Sequence, residues 1–197
     1  VEGMTAVDFY ETHPDEGSTF TQAMEGLNGL IAGPLLSMVN LSTHRSIVEI
    51  GAGRSHLLTS LLLQSPDLRG IIFDDGDTMD RTVREILQKG LSDRCKFLAG
   101  NILEQTPPQA DALVMNMILH DHGDGKVGRI LMRCAQSMGA DSRIFAIESV
   151  IPEGNKSHPG KFMDINMMAM TGGQERTEKE FKSLAEQAGL EIARISP

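Results

Sequence analysis

The stretch Val114-Met115-Asn116-Met117-Ile118-Leu119-His120-Asp121-His122 is apolar over a strand's length and then delivers three titratable side chains together, just before a turn at Gly123-Asp124-Gly125. A buried strand that ends in such groups is where open α/β sheets place their chemistry. Two histidines flanking a carboxylate suit a metal site, a general base with a companion, or an ordinary solvated strand end. As a base, an imidazole takes a proton from a hydroxyl, and a neighbouring carboxylate favours the imidazolium and fixes which ring nitrogen works.

A second constellation lies upstream. Gly51-Ala52-Gly53-Arg54 follows the apolar run Ser46–Ile50, and Asp74 closes the next apolar run about 20 residues on. Glycines there let the backbone approach a ligand, and the helix behind them favours negative charge at its N-terminus. A carboxylate ending the second strand accepts the two hydroxyls of a ribose. The dinucleotide fingerprint needs a third glycine where His56 stands, which disfavours NAD. Glu49 inside the first strand and Asn101 after the third point to S-adenosylmethionine, whose amino group, ribose and adenine each want an acceptor at successive strand ends. Asp74-Asp75 with the histidines raises a Mg²⁺ site, but Asp74 is claimed by the ribose and imidazole is a poor Mg²⁺ ligand, so no metal is expected.

The elements that must position these groups alternate. Strands are expected at Ser46–Ile50, Arg69–Asp74, Cys95–Ala99, Ala112–Leu119, Arg143–Val150 and Glu191–Ile195. Helices are expected at His56–Gln64, Arg81–Lys89, Lys126–Met138, Phe162–Met170 and Glu180–Ala188, the last opened by a Thr177-to-Glu180 capping box. Alternation of this kind predicts a doubly wound α/β fold with a mostly parallel sheet. Residues 1–19 show no clear periodicity; Phe20, Met24, Leu27 and Ile31 share a helical face, Gly33-Pro34 breaks it, and Leu35–Val39 reads as a further short helix. The expected division is 1–45 as a helical lead-in to the substrate pocket and 46–197 as the cofactor-binding catalytic domain, one compact unit overall.

The chain's 197 residues suffice for one core, and 40% hydrophobic with 23% charged residues is a globular composition. A net charge of −9 argues against a nucleic-acid surface, which needs clustered Lys and Arg. Apolar runs fall well short of the roughly 20 residues of a membrane span. Cys95 and Cys134 have no zinc spacing or disulfide framework, so both read as reduced thiols of a cytoplasmic protein. The 12 methionines serve core packing in the first instance.

The segments VEIGAG (48–53), LRGIIFD (68–74), ILHD (118–121), ILMRC (130–134) and GGQERT (172–177) leading to Glu180-Phe181, in that order and spacing, resemble the S-adenosylmethionine-dependent O-methyltransferases of the caffeate, isoflavone and hydroxyindole type and their bacterial relatives. The resemblance implies a class I methyltransferase fold, a role in secondary metabolism, and transfer of a methyl group to a hydroxyl of a small, aromatic acceptor. It implies His120 as base, Glu148 and Glu175 as flanking carboxylates, and Asp121 beside the substrate hydroxyl. Glu49, Gly51 and Gly53 would face the cofactor, Asp74 its ribose, and Asn101 and Ile102 its adenine. Asn116 would stand where the family often has Lys or Arg near the cofactor. Met24, Met167 and Met168 would line the acceptor pocket. Departures are Ser55 for a third glycine, Asn101 for the adenine-facing Asp, and His122 for an aromatic residue. The chain opens on Val1 and reads as a catalytic core without the family's N-terminal dimerisation domain and final antiparallel strand, the longer form being expected to be a homodimer. Two other readings are a diverted enzyme of the same fold (decarboxylase, hydroxylase or pericyclase) and a non-catalytic S-adenosylmethionine-binding subunit.

Overall fold

The computed structural model describes residues 9–10, 12–20, 22–23, 26, 44–51, 57–76 and 79–196. Its centre is a sheet of β1 (Ser46–Ile50), β2 (Arg69–Asp74), β3 (Cys95–Ala99), β4 (Ala112–Asn116) and β5 (Arg143–Ile147), in the order β3-β2-β1-β4-β5 with every pairing parallel. Strands β1 and β4 are almost wholly buried because both of their faces are covered. Alternation sorts their side chains. Ile47, Ile72, Ala112 and Val114 face one core with Leu58, Leu61 and Leu62 of helix α1 (Leu57–Gln64) and Ile86 of α2 (Met79–Gln88). Val48, Ile50, Phe73, Leu113 and Met115 face the other, with Val127, Ile130, Leu131 and Cys134 of α3 (Asp124–Ser137). Leu184 of α5 (Glu178–Gln187) closes that second layer. Each fully buried Leu or Ile contributes about 1.5–3 kcal/mol relative to exposure, so the two layers fix the strand register. This is the expected doubly wound fold.

The register brings the strand ends level. Ile50 lies opposite both Phe73 and Met115, Asp74 opposite Ala99, and Asn116 opposite Ile147. Gly51, Asp74, Asn116 and Glu148 therefore emerge along one edge of the sheet, on either side of the β1/β4 junction where the winding reverses.

Several boundaries move from their expected places. β4 stops at Asn116, because Met117 has φ +54° and turns the chain into a 3₁₀ turn at Leu119–Asp121. His120 thus sits on a turn and not on the strand. β5 stops at Ile147, beyond which Val150 makes only an isolated parallel bridge to Arg176. Residues 191–196 form no strand, making no ladder with any described residue. Helix α4 (Pro159–Met170) starts three residues early, since Pro159 occupies its first turn and His158 Nδ1 accepts from the Gly160 amide at 3.1 Å. The capping box forms as expected: Glu180 Oε2 accepts from the Thr177 amide at 2.8 Å, and Thr177 Oγ1 from the Glu180 amide at 3.3 Å.

The lead-in is helical earlier than its periodicity suggested, at residues 9–10 and 14–20. Local ring contacts hold it, Phe9 stacking on His13 at 4.1 Å and Tyr10 on Phe20 at 4.6 Å between centroids, and such contacts leave no apolar stripe to read. The Gly33-Pro34 break and the Leu35–Val39 helix lie outside the described residues. Among those described, no helix is long and apolar enough to cross a membrane.

Candidate active site

Three segments meet at the carboxyl edge of the sheet beside β4. The 3₁₀ turn carries Leu119, His120 and Asp121, with Met117 N–H still donating to Ile147 O at 2.9 Å. Glu148 follows β5 directly, and its Oε1 accepts from the Ile118 and Leu119 amides at 3.0 and 2.7 Å. One carboxylate oxygen therefore satisfies two donors that a three-residue turn leaves without intrahelical partners. The loop between α4 and α5 supplies Glu175, whose Oε1 lies 2.9 Å from His120 Nδ1. A carboxylate only accepts, so Nδ1 carries the proton and Nε2 presents its lone pair. Asp121 Oδ1 stands 3.9 Å from that nitrogen.

The loop reaches the turn through glycine. A Cβ on Gly173 would fall 1.9 Å from His120 O, and Gly172 has φ +72°. The Gln174 amide then donates to His120 O at 2.9 Å, and the Glu175 amide to Asp164 Oδ1 of α4 at 2.9 Å. Glu175 reaches His120 because the chain before it lies directly against the turn.

Charge and burial distinguish the titratable groups. Burial opposes the His120 cation, yet the hydrogen bond to Glu175 and the fields of Glu148, Asp121 and Glu175 outweigh it and hold the imidazole above its ordinary pKa. His122 is pushed the other way by burial, with Lys126 and Arg176 adding to the effect. Burial lifts Asp121 above the usual carboxylate range and carries Glu148 up to about 7, against the pull of the Leu119 amide and His120. Burial also raises Cys95 and Cys134 to about 12, so both thiols stay protonated.

Among the described residues, three buried acceptor oxygens have no donor: Glu148 Oε2, Glu175 Oε2 and Asn116 Oδ1. Donor atoms of a His120, Glu148 and Glu175 set lie within 4.8 Å of one another, the composition of a cation site. In that set Glu175 Oε1 is engaged by Nδ1 and Glu148 Oε1 by two amides. Both of those oxygens are thus already engaged in hydrogen bonds within the cluster.

On the nucleoside side, Gly51 has φ +63°, and a Cβ there would meet Ile118 Cδ1 at 2.8 Å. Glycine is required where β1 leaves the sheet next to the His120 segment. Glu49 is buried and its Oε2 accepts from the Leu58 amide at 3.1 Å, fixing the start of α1. Asp74 sits at the end of β2, with Oδ1 accepting from the Asp75 amide at 2.9 Å. Asn101 Oδ1 accepts from the Leu103 amide at 2.9 Å, which places Ile102 in an Asx turn against the second core. Gly53 and Met24 lie outside the described residues. Met167 is 7% and Met168 65% exposed, so helical geometry separates the expected pocket pair into an inward and an outward residue.

The sequence reading gave no role to Gly173, Gln174, Arg176, Asp124 or Asp164. The available signal was the doubled glycine immediately before three polar residues in GGQERT.

The fold and this edge-on cluster define a class I methyltransferase domain. The sequence model of the O-methyltransferase domain family matches residues 1–191, and the chain belongs to that family. Phenazine O-methyltransferase PhzM of Lysobacter antibioticus is 30% identical over 99% of this chain and 57% of its own length. The mitomycin biosynthesis 6-O-methyltransferase of Streptomyces lavendulae is 34% identical over 94% of this chain and 54% of its own. Among solved structures, the mitomycin 7-O-methyltransferase MmcR superposes with TM-score 0.91 at 32% identity, covering 100% of this chain and 57% of that one. The O-methyltransferase NcsB1 of neocarzinostatin biosynthesis, in complex with S-adenosyl-L-homocysteine and 1,4-dihydroxy-2-naphthoic acid, superposes with TM-score 0.85 at 29% identity, covering 100% of this chain and 59% of that one. The chain thus spans about half the length of the curated relatives it matches.

Proposed function

We propose that this chain is the catalytic part of an S-adenosylmethionine-dependent O-methyltransferase that methylates a hydroxyl of a small aromatic acceptor, with His120 as general base. The observation that carries the reading is the His120 Nδ1–Glu175 Oε1 contact of 2.9 Å, which leaves Nε2 free to receive a proton at the carboxyl edge of the sheet. Family membership and the NcsB1 complex support the cofactor and the acceptor class.

When bound, S-adenosylmethionine supplies an electrophilic methyl group. The residues that would hold it are Glu49, Gly51, Gly53, Asp74, Asn101, Ile102 and Asn116. The Gly51 bend, which a Cβ would obstruct, and the donor-less Asn116 Oδ1 fit a ligand against this edge. Positioning the acceptor in line contributes up to roughly 7–11 kcal/mol to such a reaction. A phenol of pKa ~10 gives its proton to an unperturbed imidazole uphill by about 5 kcal/mol. Raising the His120 pKa narrows that gap, so Nε2 takes the hydroxyl proton as the oxygen attacks. Asp121, at 3.9 Å from Nε2, orients the hydroxyl, Glu175 stabilises the imidazolium, and Glu148 fixes the turn beneath it. Residues 1–45, with Met24, and the inward Met167 complete the acceptor pocket, Met168 belonging to its rim. Residues 46–197 form the cofactor-binding unit. The complete protein is a cytoplasmic homodimer joined through a further N-terminal domain.

Purified protein supplied with S-adenosylmethionine and a panel of phenols is expected to release S-adenosylhomocysteine with at least one of them. Tight cofactor binding with no turnover on any phenol rejects the reading in favour of a diverted enzyme or a binding subunit. His120→Ala is expected to lower kcat by about 10²–10⁴ while the S-adenosylhomocysteine Kd stays close to the parent value.

A further inference from the structure

We propose that Arg176 is a positioning residue for the reaction: its guanidinium, anchored on Asp124, grips the main chain on both sides of His120-Asp121 and so sets where the His120 imidazole points. The inference rests on His120 as the base and concerns what keeps that base in place.

Arg176 has no exposed surface, although it is a full positive charge. Nη1 donates to Leu119 O at 3.0 Å, the carbonyl immediately before His120, and to Gln174 O at 3.2 Å. Nη2 donates to His122 O at 2.6 Å, the carbonyl immediately after Asp121. Nε and Nη2 meet Asp124 Oδ1 at 3.0 and 2.9 Å, and Gln174 Nε2 joins that same oxygen at 2.7 Å. The residue's own main chain is tied to the segment after Glu148, through the bridge with Val150 and a 2.9 Å bond from the Ile151 amide to Arg176 O. Its chain neighbour is Glu175. One residue thereby joins the turn that carries the base, the segment beyond Glu148 and the loop that carries Glu175.

Stability alone does not explain this choice. A buried ion pair is often replaceable by well-packed apolar side chains without loss of stability. Here, among the described residues, the only carboxylate partner is on Asp124, whose side chain is 60% exposed, and the guanidinium's other donors go to main-chain carbonyls of Leu119, Gln174 and His122. A rigid planar fork with five donors reaches several diverging acceptors at once, whereas an ammonium on a flexible stem does not hold them in one geometry. A three-residue 3₁₀ turn has too few internal bonds to fix its own orientation. The guanidinium supplies the missing constraints.

The test compares Arg176→Lys and Asp124→Ala in the intact protein. Asp124→Ala leaves the buried guanidinium without its carboxylate and is expected to lower the melting temperature, so kcat is taken per folded protein. Arg176→Lys is expected to lower kcat about 10²-fold, the scale of a roughly 1 Å misplacement, with S-adenosylhomocysteine Kd within about threefold of the parent. Asp124→Ala should fall between them. In the same samples, the downfield proton resonance of the Nδ1–H to Glu175 hydrogen bond, assigned by its loss in His120→Ala, should broaden or shift at a temperature where both variants are fully folded. A folded variant with parent kcat and an unmoved resonance overturns the proposal, as does loss of cofactor affinity in step with kcat. If Arg176→Lys does not fold, Asp124→Ala decides alone. If the parent methylates no phenol, the proposed activity has failed, and the resonance still reports whether the grip on His120 exists.

Discussion

His120 and His122 stand two residues apart and are driven in opposite directions, the first towards imidazolium by Glu175 and its neighbours, the second towards the neutral form by burial and nearby cations. Divergence of this kind supports His120 over His122 as the proposed base, because the same residue type titrates differently in different fields. The acid limb of the kcat/KM–pH profile should therefore lie above the ordinary imidazole pKa of ~6.5. Glu175→Gln removes the charge and the strongest contact that raises His120. The limb should then move to lower pH and the plateau should fall, since a weaker base accepts the phenol proton less readily. A limb that stays put in Glu175→Gln would show that another group titrates there.

At the scale of elements, the site depends on how closely the loop between α4 and α5 approaches the 3₁₀ turn. Gly173→Ala places a Cβ 1.9 Å from His120 O, a backbone atom that cannot step aside without moving the base. The expected result is a melting temperature lowered by several degrees together with kcat reduced well beyond the loss of folded protein. Thr177→Ala, four residues along, provides the contrast. It removes a cap on α5 and should cost about 0.5–2 kcal/mol of stability in a denaturant titration, leaving kcat of the folded protein near the parent's. Equal kinetic losses in the two variants would mean that the contact at Gly173 has no special connection to the base. The break at Met117 belongs to this scale as well. Its φ of +54° ends β4 early and lets Glu148, from the neighbouring strand's end, reach the amides of the next turn.

Across the whole molecule, buried ionisable groups connect the site to stability. His120 and Glu148 both have folded-state pKa values above their unfolded ones, Glu148 at about 7. A group of this kind binds its proton more tightly in the native state. Its contribution is complete below the unfolded pKa and disappears as pH rises through the folded one. Stability should therefore decline from pH 6 to pH 8, and Glu148→Gln should flatten that decline, because the amide keeps an acceptor for Ile118 and Leu119 without a charge to bury. Melting temperatures across that range check it; an unchanged slope in Glu148→Gln would reject Glu148 as a source.

Sequence by itself determined the alternation of strands and helices, the parallel sheet, the capping box at Thr177 and the edge on which the chemistry lies. Those follow from local chemistry: apolar runs buried on both faces, side-chain periodicities of two and 3.6, and glycines where the backbone must bend. The His120, Glu148 and Glu175 set was legible through resemblance, as three residues from three segments. What tertiary structure decided was how they meet. Glu175 and not Glu148 contacts the imidazole, Glu148 accepts from the amides of the turn, Met168 faces outward, and Arg176 donates to the carbonyls of Leu119 and His122 on either side of His120-Asp121. These contacts join residues 29 to 57 positions apart, over distances at which no local period or spacing carries information. They depend on where β4 breaks and on how far a glycine allows one loop to approach another, and those features exist only once the two cores have fixed the register of the sheet.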